Sequence, residues 1–225
     1  MLSADSNEGL VQIVRHRAAL YLGTGPRSER VLDALMAVDR ARFLPPDERD
    51  FAYVDSPCGI GYGQTCSEPS MVAFMLDALG PRAGDRLLEI GCGSGYAAAV
   101  ASVLCSPGGA VTAAEIVGEL AIAARANLAT AGAYPGPRFA DIVLVLEADG
   151  STGLPERGPW DRILVSAGAR RGFREEPLLD ALAPGGVLVY PEERGSLFRV
   201  VKTPDGYARD GWEGVAFVPL RGVNS

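Results

Sequence analysis

The chain has 225 residues, of which 21 are lysine or arginine and 28 are aspartate or glutamate, so its net charge is −7 at pH 7. This acidic balance argues against DNA or RNA as a partner, because binding a polyanion requires clustered cations. Hydrophobic residues make up 48% of the sequence. No apolar run approaches the roughly 20 residues of a membrane span, so we expect a single globular domain and no membrane partner.

The cysteines and the histidine argue against a metal site. Cys58, Cys66, Cys92 and Cys105 form no C-x-x-C pair, and with His16 alone they make no zinc ligand set. We therefore expect reduced thiols and no metal. His16 lies between two arginines in a helical pattern, which predicts a surface residue. The first nine residues lack a signal-peptide pattern, so the expected location is the cytoplasm.

The N-terminal third is predicted to be helical, with a loop before the third helix. Amphipathic patterns predict helices over residues 10–20 and 29–38, and residues 51–53 and 55–63 are predicted to be loops. A third helix is predicted to begin at Pro69 and end at Leu79, because proline is favoured in the first helical turn. Ser67 is a candidate cap for this helix.

Strands and helices alternate from residue 86 onwards. Strands are predicted over 86–90, 110–115, 142–146, 162–165, 187–190, 197–202 and 214–220, with helices over 97–104, 117–130 and 175–182. A turn at 204–206 separates the last two strands. The predicted fold is α/β, a doubly wound, mostly parallel Rossmann-like sheet with N-terminal helices and an antiparallel C-terminal part.

The loop after the first of these strands has the sequence IGCGSGY at residues 90–96. Gly91, Gly93 and Gly95 allow a sharp turn and let a ligand lie against bare backbone, beside the free N–H groups of the next helix. Their G-x-G-x-G spacing differs from the dinucleotide fingerprint. Glu115 ends the next strand, where an acid accepts hydrogen bonds from ribose hydroxyls. The pattern resembles the S-adenosylmethionine pocket of class I methyltransferases; a purely structural turn in another doubly wound fold is the alternative.

Blocks over nearly the whole chain resemble the protein-L-isoaspartate O-methyltransferase family. The most specific is IGYGQTCSEP at residues 60–69, which is similar to the loop that distinguishes this family from other methyltransferases. The others are VDRARF at 38–43, DSP at 55–57, DG at 149–150, LAPGGVLV at 182–189 and FVPL at 217–220. The resemblance implies one methyltransferase domain over 1–225, with a helical cap and signature loop in 1–80, a cofactor-binding core in 81–190 and C-terminal strands in 191–225.

The resemblance also implies the cofactor, the substrate and the site. The cofactor is S-adenosylmethionine, which leaves as S-adenosylhomocysteine, and the substrate is the free α-carboxylate of isoaspartyl residues in damaged proteins or peptides. Esterification there starts repair through a succinimide. Ser67 and Thr65 are the implied catalytic residues. The implied cofactor-binding residues are Gln64, Cys66, Glu89, Gly91, Gly93, Gly95, Glu115, Ile116, Asp149 and Gly150.

Three of these residues have an alternative structural interpretation. Ser67 could be only a helix cap, Glu89 could only organise the glycine loop, and Asp149 could be an ordinary turn residue.

Departures from the family pattern lie near the expected substrate side. Cys66 replaces the usual isoleucine, Ser70 stands where an aromatic residue or histidine is common, Arg170 and Arg171 follow Ala169, and Glu192, Glu193 and Arg194 follow Pro191. They motivate one alternative, in which the acceptor is an aspartate of a dedicated partner peptide. Two further alternatives are a small-molecule acceptor and a cofactor-binding module without transfer activity.

Overall fold

The computed structural model describes residues 3–22, 29–131 and 138–225, and the side chains of the first segment up to Arg17. The helices are α1 (Asn7–Leu22), α2 (Glu29–Met36), α3 (Pro69–Leu79), α4 (Tyr96–Cys105), α5 (Gly118–Ala131) and α6 (Glu176–Asp180). The strands are β1 (Cys58–Gly61), β2 (Gln64–Cys66), β3 (Arg86–Ile90), β4 (Ala110–Glu115), β5 (Val143–Glu147), β6 (Trp160–Val165), β7 (Leu182–Pro191), β8 (Arg194–Thr203) and β9 (Gly206–Ala216).

The main sheet has the strand order β5-β4-β3-β6-β7-β8-β9, and β1 and β2 form a separate antiparallel hairpin. The five strands from β3 to β7 form the parallel part of the sheet. Strand β8 pairs antiparallel with β7, and β9 pairs antiparallel with β8. The chain leaves β3 towards β4 and later returns to β6 on the other side of β3. Loops therefore diverge at the carboxyl end of β3, the place where open α/β sheets bind ligands. The predicted fold class is confirmed.

The core lies on both faces of the sheet because successive side chains of a strand point to opposite sides. Leu87 of β3 belongs to the apolar cluster on one face, and Leu88 and Ile90 belong to the cluster on the other. Both faces of β3 are thus covered, which explains why its adjacent residues Leu87 and Leu88 are both apolar. No helix in the described ranges is long and apolar enough to cross a membrane.

Three predicted element boundaries are wrong. Residues 58–61, predicted as loop, form a short strand that pairs with residues 64–66 in the β1–β2 hairpin, and its register shifts between Gly59 and Gly61. The last strand runs from Gly206 to Ala216 rather than over 214–220, and its mostly exposed, polar sequence carries no hydrophobic alternation. The predicted helix 175–182 ends at Asp180, because β7 already begins at Leu182.

The predicted capping of α3 by Ser67 is wrong. The N-cap residue is Glu68, whose side chain makes no capping hydrogen bond. Instead, the Oδ1 atom of Asp55 accepts a hydrogen bond of 2.9 Å from the backbone N–H of Ser70. Asp55 is buried and its Oδ2 atom forms a salt bridge of 2.8 Å with Arg17. A residue distant in sequence therefore caps α3, and the Ser67 hydroxyl has no hydrogen-bond partner in the described part of the chain.

Arg40 holds the hairpin and the preceding loop together. Its side chain is fully buried, and its two terminal nitrogens donate to backbone carbonyls. Nη1 donates to Ala52 and Val54 at 3.1 and 3.0 Å. Nη2 donates to Ser56, Cys66 and Ser67 at 2.8, 3.5 and 3.2 Å. One guanidinium thus fixes the end of β2 relative to the N-terminal part of the chain.

Candidate active site

Two adjoining clefts lie at the carboxyl ends of β3, β4 and β6. The outer cleft, with a volume of about 510 Å³, is lined by Gln64, Thr65, Gly91, Gly93, Glu115, Ile116, Gly150, Ser166 and Pro219 among others. The inner cleft, of about 440 Å³, is lined by Thr65, Cys66, Ser67, Glu89, Gly91, Gly93, Tyr96 and Ser166 among others. Thr65, Gly91, Gly93 and Ser166 line both clefts, so the two clefts share a wall. The predicted site residues all line one of them except Gly95 and Asp149.

The glycine loop brings bare backbone to the junction of the two clefts. Gly91, Gly93 and Gly95 have φ values of 78°, 53° and 86°, which favour glycine. A Cβ atom on Gly93 would lie 2.9 Å from the Cδ1 atom of Ile60 in the hairpin, so a side chain there would displace the end of the Ile60 side chain. A Cβ atom on Gly95 would instead lie 3.4 Å from side chains of α5. Gly95 therefore packs against helix α5 and does not line either cleft.

Glu115 is held at the edge of the outer cleft by the backbone. Its Oε2 atom accepts a hydrogen bond of 2.8 Å from the N–H of Gly93, and Oε1 accepts one of 3.0 Å from the N–H of Val117. The residue is buried. A carboxylate offers about four acceptor positions, so each oxygen keeps capacity for a ligand hydroxyl. The arrangement suits a ligand with neighbouring hydroxyl groups.

Glu89 places a buried carboxyl group against the inner cleft. Its Oε1 atom accepts a hydrogen bond of 2.7 Å from the Ser166 hydroxyl, whereas Oε2 has no hydrogen-bond partner among the described residues. Burial raises the pKa of Glu89 to about 7; the Ser166 hydrogen bond opposes this shift and the nearby Glu115 adds to it. An unpartnered buried acceptor is costly, which points to a ligand donor at this position.

Asp149 is bound to the backbone rather than exposed to a cleft. Its Oδ1 atom accepts from the N–H of Ser151 at 2.9 Å, and Oδ2 accepts from the N–H of Val223 at 2.8 Å. The carboxylate thereby anchors the C-terminal segment, whose residues 218–221 line the outer cleft. Gly150 next to it is buried, and a Cβ atom there would lie 2.9 Å from Ala114. These contacts give Asp149 a structural role in holding the C-terminal segment, and its predicted role in cofactor binding stays a prediction.

Sequence reasoning missed Ser166, Tyr96 and the segment 218–221. Ser166 follows β6 directly. Its position could have been predicted from the sequence, since residues just after parallel strands lie at the edge of the sheet where ligands bind. Tyr96 is buried at the start of α4 and lines the inner cleft. The segment 218–221 reaches the outer cleft through pairing with Gly168, which donates to Val218 at 2.7 Å and accepts from Leu220 at 2.8 Å. No local pattern indicates that pairing.

Comparison with known proteins gives one family. A family model described as protein-L-isoaspartate(D-aspartate) O-methyltransferase matches residues 12–225. A protein-L-isoaspartate O-methyltransferase from Methanopyrus kandleri is 48% identical over 200 residues, which cover 87% of this chain and 85% of that protein. One from Anaeromyxobacter dehalogenans is 44% identical over 209 residues, covering 90% and 94%.

Solved structures share the fold. A chain from Plasmodium falciparum, described as a protein-L-isoaspartate O-methyltransferase in complex with S-adenosyl-L-homocysteine, superposes with a TM-score of 0.80 at 22% identity, covering 97% of this chain and 99% of that one. Another protein-L-isoaspartate O-methyltransferase gives a TM-score of 0.80 at 24% identity, covering 97% and 67%. At these identities the likeness shows the fold alone.

Proposed function

Since the chain belongs to the protein-L-isoaspartate(D-aspartate) O-methyltransferase family, we propose that it methylates the free α-carboxylate of isoaspartyl residues in damaged proteins or peptides, with S-adenosylmethionine as donor. The observation that carries this proposal is the position of Thr65, in strand β2 of the hairpin, and of Ser67, which follows that strand. They line the inner cleft together with Gly91 and Gly93 of the glycine loop. A family-specific loop thus meets a general cofactor loop at one place.

The residues present fit S-adenosylmethionine. The positive-φ glycines leave backbone accessible, Glu115 keeps acceptor capacity for ribose hydroxyls, and Ile116, 41% exposed, offers an apolar surface for a base. At the other end, the unpartnered Oε2 atom of Glu89 suits the ammonium group of the methionyl part. When bound, the cofactor supplies an electrophilic methyl group.

Methyl transfer to this acceptor requires positioning rather than acid–base chemistry. An α-carboxyl group has a pKa of about 3.5, so the attacking oxygen is already ionised at neutral pH. The hydroxyls of Thr65 and Ser67 have no partner in the described part of the chain and are available to orient the carboxylate. Val72, Met75 and Tyr96 form apolar walls of the inner cleft, which helps to exclude water. We place the reaction in the cytoplasm.

Replacing Glu115 by alanine is expected to weaken cofactor binding by roughly 1.5–3 kcal/mol, which is about 10- to 150-fold in Kd. The variant loses charged acceptors for the ribose and leaves the Gly93 N–H without its partner. Titration calorimetry with S-adenosylhomocysteine measures the change. Glu119→Ala, an exposed acid on α5, is the matched control and should bind as the unmodified protein does. An unchanged Kd for Glu115→Ala would remove this residue from the site.

Cofactor affinity is expected to rise as the pH increases towards about 7, the pKa of Glu89 in the free protein, and to level off above it. Below that value the carboxyl is neutral and attracts an ammonium group weakly, whereas above it the carboxylate is a strong acceptor. By the same linkage, the contribution of Glu89 to the stability of the free protein falls as the pH rises towards about 7. The Kd of S-adenosylhomocysteine should be measured between about pH 6 and about pH 8 for the unmodified protein and Glu89→Gln. The difference between the two profiles cancels ionisation of the ligand, and parallel profiles would contradict the assignment.

The direct test of the proposed function uses labelled S-adenosylmethionine and two synthetic peptides that differ only in an isoaspartyl or aspartyl linkage. We expect base-labile label in the isoaspartyl peptide alone. Label in the aspartyl peptide would support a dedicated aspartate acceptor. Label in neither peptide, despite cofactor binding, would favour a small-molecule acceptor or a module without transfer activity.

A further inference from the structure

A third cleft lies beyond the loop that follows β6, outside the site described above. It has a volume of about 1130 Å³, and we call it the arginine cleft after Arg170, Arg171 and Arg194, which line it with Phe173, Tyr190 and Phe198. All three arginines are exposed. They belong to the two segments, 169–171 and 191–194, in which the sequence departs from the family pattern. Two of the departures from the family pattern therefore meet in one place, whereas Cys66 and Ser70 lie outside this cleft.

The charges of this cleft leave two cations available. Glu193 forms a salt bridge of 3.2 Å with Arg170, and the Oε2 atom of Glu192 accepts a hydrogen bond of 2.8 Å from the N–H of Ser196. Arg171 and Arg194 form no ion pair with any described residue. Glu192 keeps its negative charge, so the three arginines and two glutamates of the lining carry a net charge of +1, which is a local reversal of sign in a chain with a net charge of −7.

The floor of the arginine cleft is an ordered aromatic group. The ring of Tyr190 lies 5.1 Å from that of Phe173 and 5.3 Å from that of Phe198, measured between centroids. The Tyr190 hydroxyl donates to Glu175 at 2.7 Å and accepts from Arg209 at 3.0 Å. Because Arg209 and Glu175 are occupied with each other and with Tyr190, they do not neutralise the two free arginines.

The cleft is within reach of a peptide whose reacting residue lies in the inner cleft. Ser166 lines both cofactor clefts and Ala169 lines the arginine cleft, three residues further on. Three extended residues span at most about 11 Å, so the cleft faces side chains roughly two to four positions from the acceptor. Backbone hydrogen bonds of Gly168 to Val218 and of Ala169 to Pro191, 2.7 and 2.8 Å long, fix the intervening segment.

We propose that the arginine cleft binds acidic side chains that flank the isoaspartyl residue, so that this enzyme prefers acidic substrate segments. The inference rests on the proposed function and adds a substrate class to it. Guanidinium groups pair with carboxylates in a planar, two-pronged geometry, and an acidic peptide would otherwise be repelled by the negative surface of the chain. Arg171 and Arg194 are the specificity-determining residues.

The test uses two isoaspartyl peptides that are identical except for glutamate or glutamine at positions two to four residues from the acceptor. For the unmodified protein at low salt we expect a KM several-fold lower for the acidic peptide, with similar kcat, and a preference that added salt reduces. The double variant Arg171→Glu, Arg194→Glu should lose or reverse the preference while methylating the neutral peptide normally. The matched control, Arg82→Glu with Arg157→Glu, changes exposed arginines before β3 and β6, at the opposite edge of the sheet.

Equal KM values for the two peptides at low salt, or a preference that survives in the double variant, would overturn the proposal. A binding measurement separates this failure from failure of the proposed function. Fluorescence anisotropy with the same labelled peptides, in the presence of S-adenosylhomocysteine, reports the acidic preference without methyl transfer. If neither peptide is methylated, the proposed function fails. Tighter binding of the acidic peptide would then still support the arginine cleft as a site for acidic segments. Equal binding of the two peptides would reject that role of the cleft.

Discussion

Replacing Arg40 by leucine is expected to lower the free energy of unfolding by about 3 kcal/mol and to abolish most methyl transfer. The side chain is fully buried and donates to five backbone carbonyls, three of them at 3.1 Å or less. Leucine fills part of the volume but leaves these carbonyls without a donor, and each unsatisfied buried acceptor is costly. The relief of the buried charge offsets only part of this loss.

Activity should fall because the lost hydrogen bonds fix the end of β2 and Ser67, which we propose to orient the acceptor carboxylate. Arg40 donates to Cys66 and Ser67 themselves, so the leucine variant releases the end of β2 from the N-terminal part of the chain. Thermal melting and single-turnover methylation measure the two effects, and a loss of 3 kcal/mol lowers Tm by about 10 °C in a chain of this size. Arg42→Leu, an exposed arginine in the same short helical segment, is the control. Equal melting temperatures for the two variants would show that the buried hydrogen bonds contribute little.

The sheet could be predicted because its signals are local. The apolar run of β3, the glycines that follow it and the helical start at Tyr96 lie within eleven residues, and each element agrees with the next. The hairpin and β9 could not be predicted in the same way. Strands of four and three residues, β1 with two glycines, are too short to show a period in the sequence, and β9 is exposed along most of its length.

The same distinction between local and long-range features applies to the candidate site. The glycine loop and Glu115 follow from spacing within one βαβ unit, and the hairpin residues followed from resemblance. The polar contacts that set the site join distant positions: Glu89 with Ser166, Asp149 with Val223, and Arg40 with Ser67. Which side chain satisfies which buried group depends on packing in three dimensions, and sequence periodicity does not encode it. The error at Ser67 has this origin, since Asp55 supplies the expected cap from fifteen residues away.

Replacing Ser67 by alanine is expected to slow methyl transfer by about two orders of magnitude while cofactor affinity and stability stay nearly unchanged. Ser67 lines the inner cleft, and its hydroxyl has no partner among the described residues. Its carbonyl accepts from Arg40 at 3.2 Å, so the backbone that carries the hydroxyl is fixed before any substrate arrives. A donor held in place acts on the acceptor carboxylate in the chemical step, and it contributes little to binding of the methyl donor.

Three measurements on each variant separate the catalytic role from a structural one. Single-turnover transfer to an isoaspartyl peptide reports the chemical step, calorimetry with S-adenosylhomocysteine reports cofactor affinity, and a melting curve reports stability. Ser67→Thr keeps a hydroxyl and should restore part of the rate, whereas Ser56→Ala removes a hydroxyl outside both clefts and should change nothing. Since Asp55 and not Ser67 caps α3, a fall in Tm for Ser67→Ala would point to a structural loss. A wild-type rate of methyl transfer in Ser67→Ala would contradict the catalytic role of Ser67. Thr65 would then be the remaining residue whose hydroxyl could orient the carboxylate.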